Sequence, residues 1–193
     1  MYYATVESPL GSLLIAASDT GITGLWMEGQ RYYASSLCKE SVCKPDHPLI
    51  AQTIKWLHSY FLGEKPDRSA LSLAPEGTDF QKEVWEILDK IPYGTTRTYS
   101  EIASQIADTR GISSMSSQAV GNAIGKNPIS ILIPCHRVVG KNGSLTGYAG
   151  GIHRKEKLLL LENPGLLLND KSARLLLSQN LLRVPDQTAS EER

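Results

Sequence analysis

Short apolar stretches bounded by turn residues open the chain. Tyr2 to Ser8 and Ser12 to Ala17 read as strands parted by the turn signal Pro9-Leu10-Gly11, and Ile22 to Met27 reads as a third strand. Residues 28–46 are polar and weakly patterned, which predicts a connection carrying a short helix. The period then lengthens. Ile50, Ile54, Leu57 and Phe61 recur at helical spacing, behind Asp46 as a cap and Pro48 in the first turn, and Gly63 can end the helix. Residues 64–77 collect Pro, Gly and charge and predict a linker.

A second helical region follows. Thr78 stands three residues before Gln81, a capping-box pattern, and Phe80, Val84, Leu88 and Ile91 form an apolar stripe stopped by Pro92-Tyr93-Gly94. Two short helices are predicted, from about Ser100 to Ile106 and from about Ser116 to Ile124, as in a helix-turn-helix. Ile129 to Ile133 is an extended apolar run ending at Pro134. Val138-Val139 and Leu145-Thr146 flank Lys141-Asn142-Gly143, where Asn-Gly predicts a hairpin, the wing of a winged helix. A last helix runs from about His153 to Leu161 and is closed by Pro164-Gly165. The expected organisation is an α/β domain with its linker over residues 1–77, a mainly α winged-helix domain over 78–165, and a tail over 166–193. That tail could form an amphipathic helix through Leu175 to Leu182 and reads as disordered at its end.

Composition narrows the function classes. No run of about 18 apolar residues is present, and the first residues lack the pattern of a secretion signal. Three cysteines, Cys38, Cys43 and Cys135, argue against a disulfide framework and for a reducing compartment, the cytoplasm. Net charge is zero but unevenly spread. Residues 1–89 hold seven Lys/Arg against twelve Asp/Glu, and residues 90–160 hold nine against three. A basic segment fits either a polyanion partner or a solvated face. Cys38, Cys43 and His47 lack a known ligand spacing, so no metal site is expected, and no cofactor. Trp26, Trp56 and Trp85 are expected in the core, and His58 is expected to pack.

The candidate chemistry centres on Pro134-Cys135-His136-Arg137-Val138. A cysteine beside histidine and arginine sits in a locally cationic setting that favours thiolate. A free thiol with pKa ~8.5 is about 3% ionised at neutral pH, so full ionisation could accelerate attack at most ~30-fold. Most of any acceleration on a poor electrophile must come from alignment. From these five residues alone, a reactive cysteine and an inert buried one both remain open.

The stretch NPISILIPCHRVV, Asn127 to Val139, resembles the signature of the O6-alkylguanine-DNA alkyltransferases. FQKEVWEILDKIPYGTTRTYSEIA (Phe80 to Ala103), QAVGNAIGKNP (Gln118 to Pro128) and GSLTGYAGG (Gly143 to Gly151) match in the same order and spacing, and residues 1–77 fit that family's N-terminal domain. The resemblance implies a ribonuclease H-like fold for that domain. It implies irreversible transfer of an alkyl group from O6 of a flipped-out guanine in double-stranded DNA to Cys135 by a monomer, with O4-alkylthymine as a possible second substrate. It also implies His136 as base to the thiol through a water, Glu162 as the carboxylate orienting His136, and Tyr99 as the residue that helps rotate the nucleotide and bonds the leaving guanine. Asn127 would organise the turn beside the site. Tyr148 would form a wall of the base pocket, with Ala149 and Gly150 beside it. Gln118, Ala119 and Gly121 would lie on a recognition helix, and Arg137 is counted with the substrate- and DNA-binding residues.

Three departures stand out. Gln118 occupies a position where most members carry an arginine that fills the gap left by the flipped base. The loop Asp108 to Met115 is longer than in many relatives. Ala149 stands where some relatives have serine. Two alternatives compete. A non-catalytic, alkyltransferase-like damage binder would carry another residue at the Cys135 position. A cysteine hydrolase would need Cys135 and His136 to pair directly, which neighbours on an extended chain cannot do.

Overall fold

The computed structural model describes residues 1–167; the helix expected through Leu175 to Leu182 and the disordered end lie outside the described residues. Strands β1 (Tyr2–Val6), β2 (Leu13–Ala17) and β3 (Ile22–Met27) form an antiparallel meander, with Ala4 opposite Ile15 and Leu14 opposite Trp26. The turn between β1 and β2 closes through Gly11 N–H donating to Ser8 O at 2.9 Å, with Gly11 at φ +93°. β2 is buried on both faces, and its alternation divides the work. Leu13, Ile15 and Ala17 enter the main core, while Leu14 and Ala16 join Trp26 in a smaller cluster on the other face. Gly24 is required there, because any β-carbon would collide with the Trp26 ring.

Several expectations for this half are corrected. Residues 28–46 form no helix. Turns lead to β4 (Val42–Cys43), which pairs parallel with β1, so the sheet order is β3-β2-β1-β4. The supposed linker carries Leu71, Ser72 and Leu73 into the fold. Leu71 is buried, Ile22 N–H donates to Ser72 O and Ala74 N–H donates to Ile22 O, both at 2.8 Å. Helix α1 (Pro48–Phe61) covers the main-core face with Ile50, Leu57, Tyr60 and Phe61. Its N-cap is His47, not Asp46, and its side chain caps nothing. His58 is exposed, not packed, and Trp56 is only half-buried, whereas Trp26 and Trp85 are buried.

The second half is mainly helical. Helix α2 (Asp79–Asp89) begins with the expected capping box, Gln81 N–H donating to Thr78 Oγ1 and Thr78 N–H to Gln81 Oε1. Strand β5 (Arg97–Thr98) leads into α3 (Tyr99–Arg110), capped by a second box, Thr98 with Glu101. Helix α3 therefore starts earlier and ends later than its apolar spacing suggests, leaving only Gly111 to Ser116 as the turn before α4 (Ser117–Gly125). Trp85 Nε1 donates to Ala123 O at 2.9 Å and fastens α2 to α4.

Two further expectations fail here. Ile129 to Ile133 is not a strand. It makes one bridge to β3 and then turns, with Ile131 at φ +69°. The Asn142-Gly143 turn forms with both residues at positive φ, but no ladder follows it among the described residues. Strand β6 (Val138–Val139) pairs parallel with β5 instead of with Leu145-Thr146. Helix α5 (Ile152–Glu162) completes this half. One core spans both halves, from Ile15 and Tyr60 to Ile102 and Leu158. No described helix is long and apolar enough to cross a membrane.

Candidate active site

Asn127 builds the segment that carries Cys135. Its Oδ1 accepts from Ile129 N–H at 3.0 Å, and its Nδ2 donates to Ile133 O at 2.8 Å. One side chain thus serves a donor and an acceptor that the tight turn leaves unpaired. The N-terminal sheet holds the same segment from outside: Leu25 N–H donates to Pro128 O and Ser130 N–H to Leu25 O, each at 2.9 Å. Pro134 then leads into a single 3-10 turn, Cys135–Arg137, closed by Val138 N–H on Cys135 O. Cys135 is 3% exposed and His136 fully buried.

Glu162, at the end of α5, is the hub behind this turn. Its Oε1 lies 2.8 Å from His136 Nε2 and accepts from Arg137 Nη2 at 2.9 Å and from Tyr60 Oη at 2.7 Å. Its Oε2 accepts from Arg137 Nε at 2.8 Å and Gly94 N–H at 3.2 Å. Burial alone would raise the Glu162 carboxyl, but His136 and Arg137 outweigh it and hold it well below the usual carboxylate range. Burial lowers His136, against the pull of Glu162, so the ring is neutral at physiological pH. With Glu162 ionised, Nε2 carries the ring proton. Nδ1 is left as an acceptor, buried and without a protein partner.

The thiol is not the pre-formed thiolate that its basic neighbours suggest. Burial pushes Cys135 up, against the lowering influence of Asn127 and Lys155. Arg137 does not face the thiol: its guanidinium grips Glu162 and donates to Ile91 O at 2.5 Å. Its expected place among the substrate- and DNA-binding residues is therefore corrected; it supports the carboxylate.

Close to Cys135, through Tyr99 and Tyr148, lies a groove of about 960 Å³. Gln118, Gly121 and Asn122 of α4 line one wall, and Tyr99 and the loop Thr146–Gly151, with Tyr148, Ala149 and Gly150, line another. Ala119, expected beside them, is half-buried and not part of the wall. Gly121 faces the Tyr99 ring, where a β-carbon would stand 3.7 Å away. Tyr99 Oη lies 3.0 Å from Thr146 O and 3.1 Å from Gly147 O, so it latches the loop. Cys135 is not itself a wall of the groove in this arrangement. Arg31 and Tyr32, from the turn after β3, also line it, and Arg31 N–H donates to Ala149 O at 3.1 Å.

Lys155 and Tyr60 are the site residues that sequence reasoning missed. Lys155 is fully buried. Its Nζ donates to Val138 O and, at 2.9 Å, to Thr146 O, joining the strand after Cys135 to the groove loop. Burial lowers its pKa to about 8, partly offset by Cys135. A signal was available: Lys155, Leu158, Leu159 and Glu162 fall on one helical face, so two ionisable residues sit in an apolar stripe.

Comparison with known proteins covers nearly the whole described chain. Residues 79–164 match the family described as 6-O-methylguanine DNA methyltransferase, DNA binding domain, and residues 1–75 match its ribonuclease-like domain. A Methanosarcina acetivorans protein named methylated-DNA--protein-cysteine methyltransferase is 44% identical over 167 residues, spanning 84% of this chain and 98% of its own. A Mycobacterium tuberculosis protein of the same name is 43% identical over 162 residues, spanning 84% and 92%. The crystal structure of Mycobacterium tuberculosis OGT in complex with DNA superposes with a TM-score of 0.70 at 40% identity, covering 86% of this chain and 98% of that one.

Proposed function

Because the chain belongs to the 6-O-methylguanine DNA methyltransferase family, we propose that it repairs DNA by direct reversal, moving an alkyl group from O6 of guanine onto Cys135. The observation that carries the reading is Cys135 in a fixed turn beside a buried His136 whose Nε2 is bonded to Glu162 and whose Nδ1 is free. His136 Nδ1 takes the thiol proton through one water. The thiolate then attacks the alkyl carbon from the side opposite the C–O bond. The S–C bond forms, the C–O bond breaks, its electron pair passes to the purine, and the purine takes up a proton. A thioether has no facile leaving path, so each molecule acts once.

A raised thiol fits a nucleophile activated only when base and substrate are both in place. Burial removes the water that would otherwise solvate the thiolate, so in-line positioning carries most of the rate. The O6 substituent lies within the stacked duplex, so the nucleotide must leave the stack to reach Cys135. Helices α3 and α4 act as the helix-turn-helix against double-stranded DNA, with α4 as the recognition helix carrying Gln118 and Gly121. Tyr99 exchanges its bonds to the groove loop for one to the extruded base, and that exchange opens the wall between groove and thiol. Tyr148, Ala149 and Gly150 then line the base pocket.

We read residues 1–77 as a ribonuclease H-like domain and 78–165 as a winged-helix domain whose wing is the loop after β6, with the tail from 166 onward. The molecule works as a monomer in the cytoplasm. A damage binder that transfers nothing is disfavoured by Cys135 itself. Mass spectrometry after incubation with O6-methylguanine DNA tests the reading: one methyl gained on the Cys135 peptide is expected, and repeated turnover would sink it. Cys135→Ala abolishes transfer while leaving DNA binding largely intact.

A further inference from the structure

The residue that reaches the catalytic carboxylate from farthest away in the chain is Tyr60. It lies in α1, in the N-terminal half, 102 residues from Glu162, yet its hydroxyl donates to Glu162 Oε1 at 2.7 Å. That is the oxygen facing His136 Nε2 at 2.8 Å. Tyr60 is 1% exposed, and its ring is fixed on several sides. It stacks on Trp56 with centroids 5.2 Å apart and meets Phe61 and Tyr93 edge-on at 5.4 and 6.0 Å. A hydroxyl on so constrained a ring has little freedom to leave its acceptor.

We propose that Tyr60 is a positioning residue for the alkyl-transfer reaction, setting through Glu162 how strongly the N-terminal half lets His136 hold a proton. The proposal rests on the Glu162–His136–Cys135 relay argued above. The physical link is competition at one oxygen. Every donor on Glu162 Oε1 draws off carboxylate charge, and the less charge remains, the less Glu162 stabilises a protonated His136 ring. A base must release its proton as readily as it takes one, so a fully charged carboxylate behind His136 would trap the imidazolium. Tyr60 prevents that without adding a cation.

The groups that face His136 and Glu162 are few. From α5 come Glu162 itself and Lys155; from the catalytic turn come Cys135 and Arg137; from α1 comes Tyr60; from the segment after α2 come Gly94 N–H on Glu162 and the Tyr93 ring. Tyr93 Oη donates to Leu161 O at 3.3 Å and not to the carboxylate. Replacing Arg137 or Lys155 would change the net charge of the cluster. Tyr60 is therefore the neutral donor whose strength can be altered without changing the net charge of the cluster.

The test uses the full chain in single-turnover transfer from duplex O6-methylguanine DNA between about pH 5 and 9. Tyr60→Phe keeps the aromatic contacts and removes one donor, so Glu162 pulls harder on His136 and the ring protonates more easily. The acid limb of the rate profile moves up by about half a unit, so on the acid side, well below the limb, transfer slows by up to roughly three-fold. A ring-fluorinated tyrosine at position 60 is a stronger donor and moves the limb the other way, and it retains the hydroxyl should the Phe variant fold poorly. Limb positions ordered Phe above tyrosine above fluorotyrosine support the proposal. Profiles that coincide, or that differ only by a constant factor, overturn it. Failure of the parent reading looks different: the unaltered chain would then gain no methyl on Cys135.

Discussion

The two sides of Cys135 are built to opposite specifications. Behind it, Glu162, His136, Arg137 and Tyr60 are all buried, and each oxygen of Glu162 accepts at least two hydrogen bonds. In front of it, the groove is walled by exposed residues of α4 and by a glycine-rich loop held through a few backbone carbonyls. The rear needs no rearrangement to act. Cys135 does not line the groove, so on the proposed function the front must change before a purine can meet the sulfur. On the proposed function, the proton-handling apparatus is thus preorganised, while the part that would meet DNA is left adjustable.

Breaking the rear should have the larger effect. Glu162→Gln removes the charge that Arg137 and His136 share and strands a buried guanidinium, so transfer falls by about 100-fold or more and stability drops by roughly 3–5 kcal/mol. Single-turnover rates and denaturant melts measure both. The pH signature has a definite sign. Glu162 is depressed in the folded state, so its stabilisation is present above the unfolded value of about 4.3 and is lost as pH falls below it. The Gln variant should therefore lose less stability than the parent chain between about pH 5 and 2. Equal losses would mean that Glu162 is not the group that titrates.

Lys155 joins the two sides, and its removal should have an intermediate effect. Lys155→Met unties Val138 O and Thr146 O, loosening the groove loop while leaving the hydrogen bonds to Glu162 in place. Losing two hydrogen bonds at about 1 kcal/mol each slows transfer by about ten-fold or more. The sign is the same as for Glu162, in a higher pH window. The lysine is lowered to about 8 when folded, below its unfolded value of about 10.4. Between those values the unfolded chain binds more protons, so the parent chain gains stability relative to Lys155→Met as pH rises from about 8 toward 10. Melting both proteins across that range decides whether Lys155 is buried as a cation.

The same contrast explains what could be read from the sequence. Features carried by neighbouring residues were visible: the Thr78–Gln81 capping box, the three meander strands and the stripe of α2. The second box, Thr98 with Glu101, is equally local but lies ahead of the apolar spacing of α3, which begins later. The two-residue strands β4 and β6 have no period to detect, and their parallel partners are remote. Ile129 to Ile133 reads as a strand because apolar content marks burial, not conformation. Its turn is dictated by the Asn127 side chain, which hydropathy does not register. Cys135, His136, Glu162, Asn127 and Tyr99 came from a motif and do converge on one place. Tyr60 and Lys155 looked like ordinary members of helical faces, and only the packing of α1 and α5 against the catalytic turn gives them a role.

The smallest expected effect lies on the open side, at Gln118. This residue is exposed on α4 and lines the groove among largely uncharged neighbours, with Arg31 and Lys126 the cations of that wall among the described residues. Glutamine can wedge and hydrogen-bond there but neutralises no phosphate. Gln118→Arg adds a cation at the rim without touching the rear cluster, so duplex affinity should rise a few-fold or stay unchanged, and the salt dependence of binding should steepen by about one unit of log–log slope. Binding isotherms at several salt concentrations read both quantities. Unchanged affinity with an unchanged slope would place residue 118 away from the phosphates, against the base or its gap. A clear loss of affinity would mean that the neutral amide makes a contact the arginine cannot reproduce, and that the adjustable side of the molecule is more specified than its exposed, glycine-rich surface suggests.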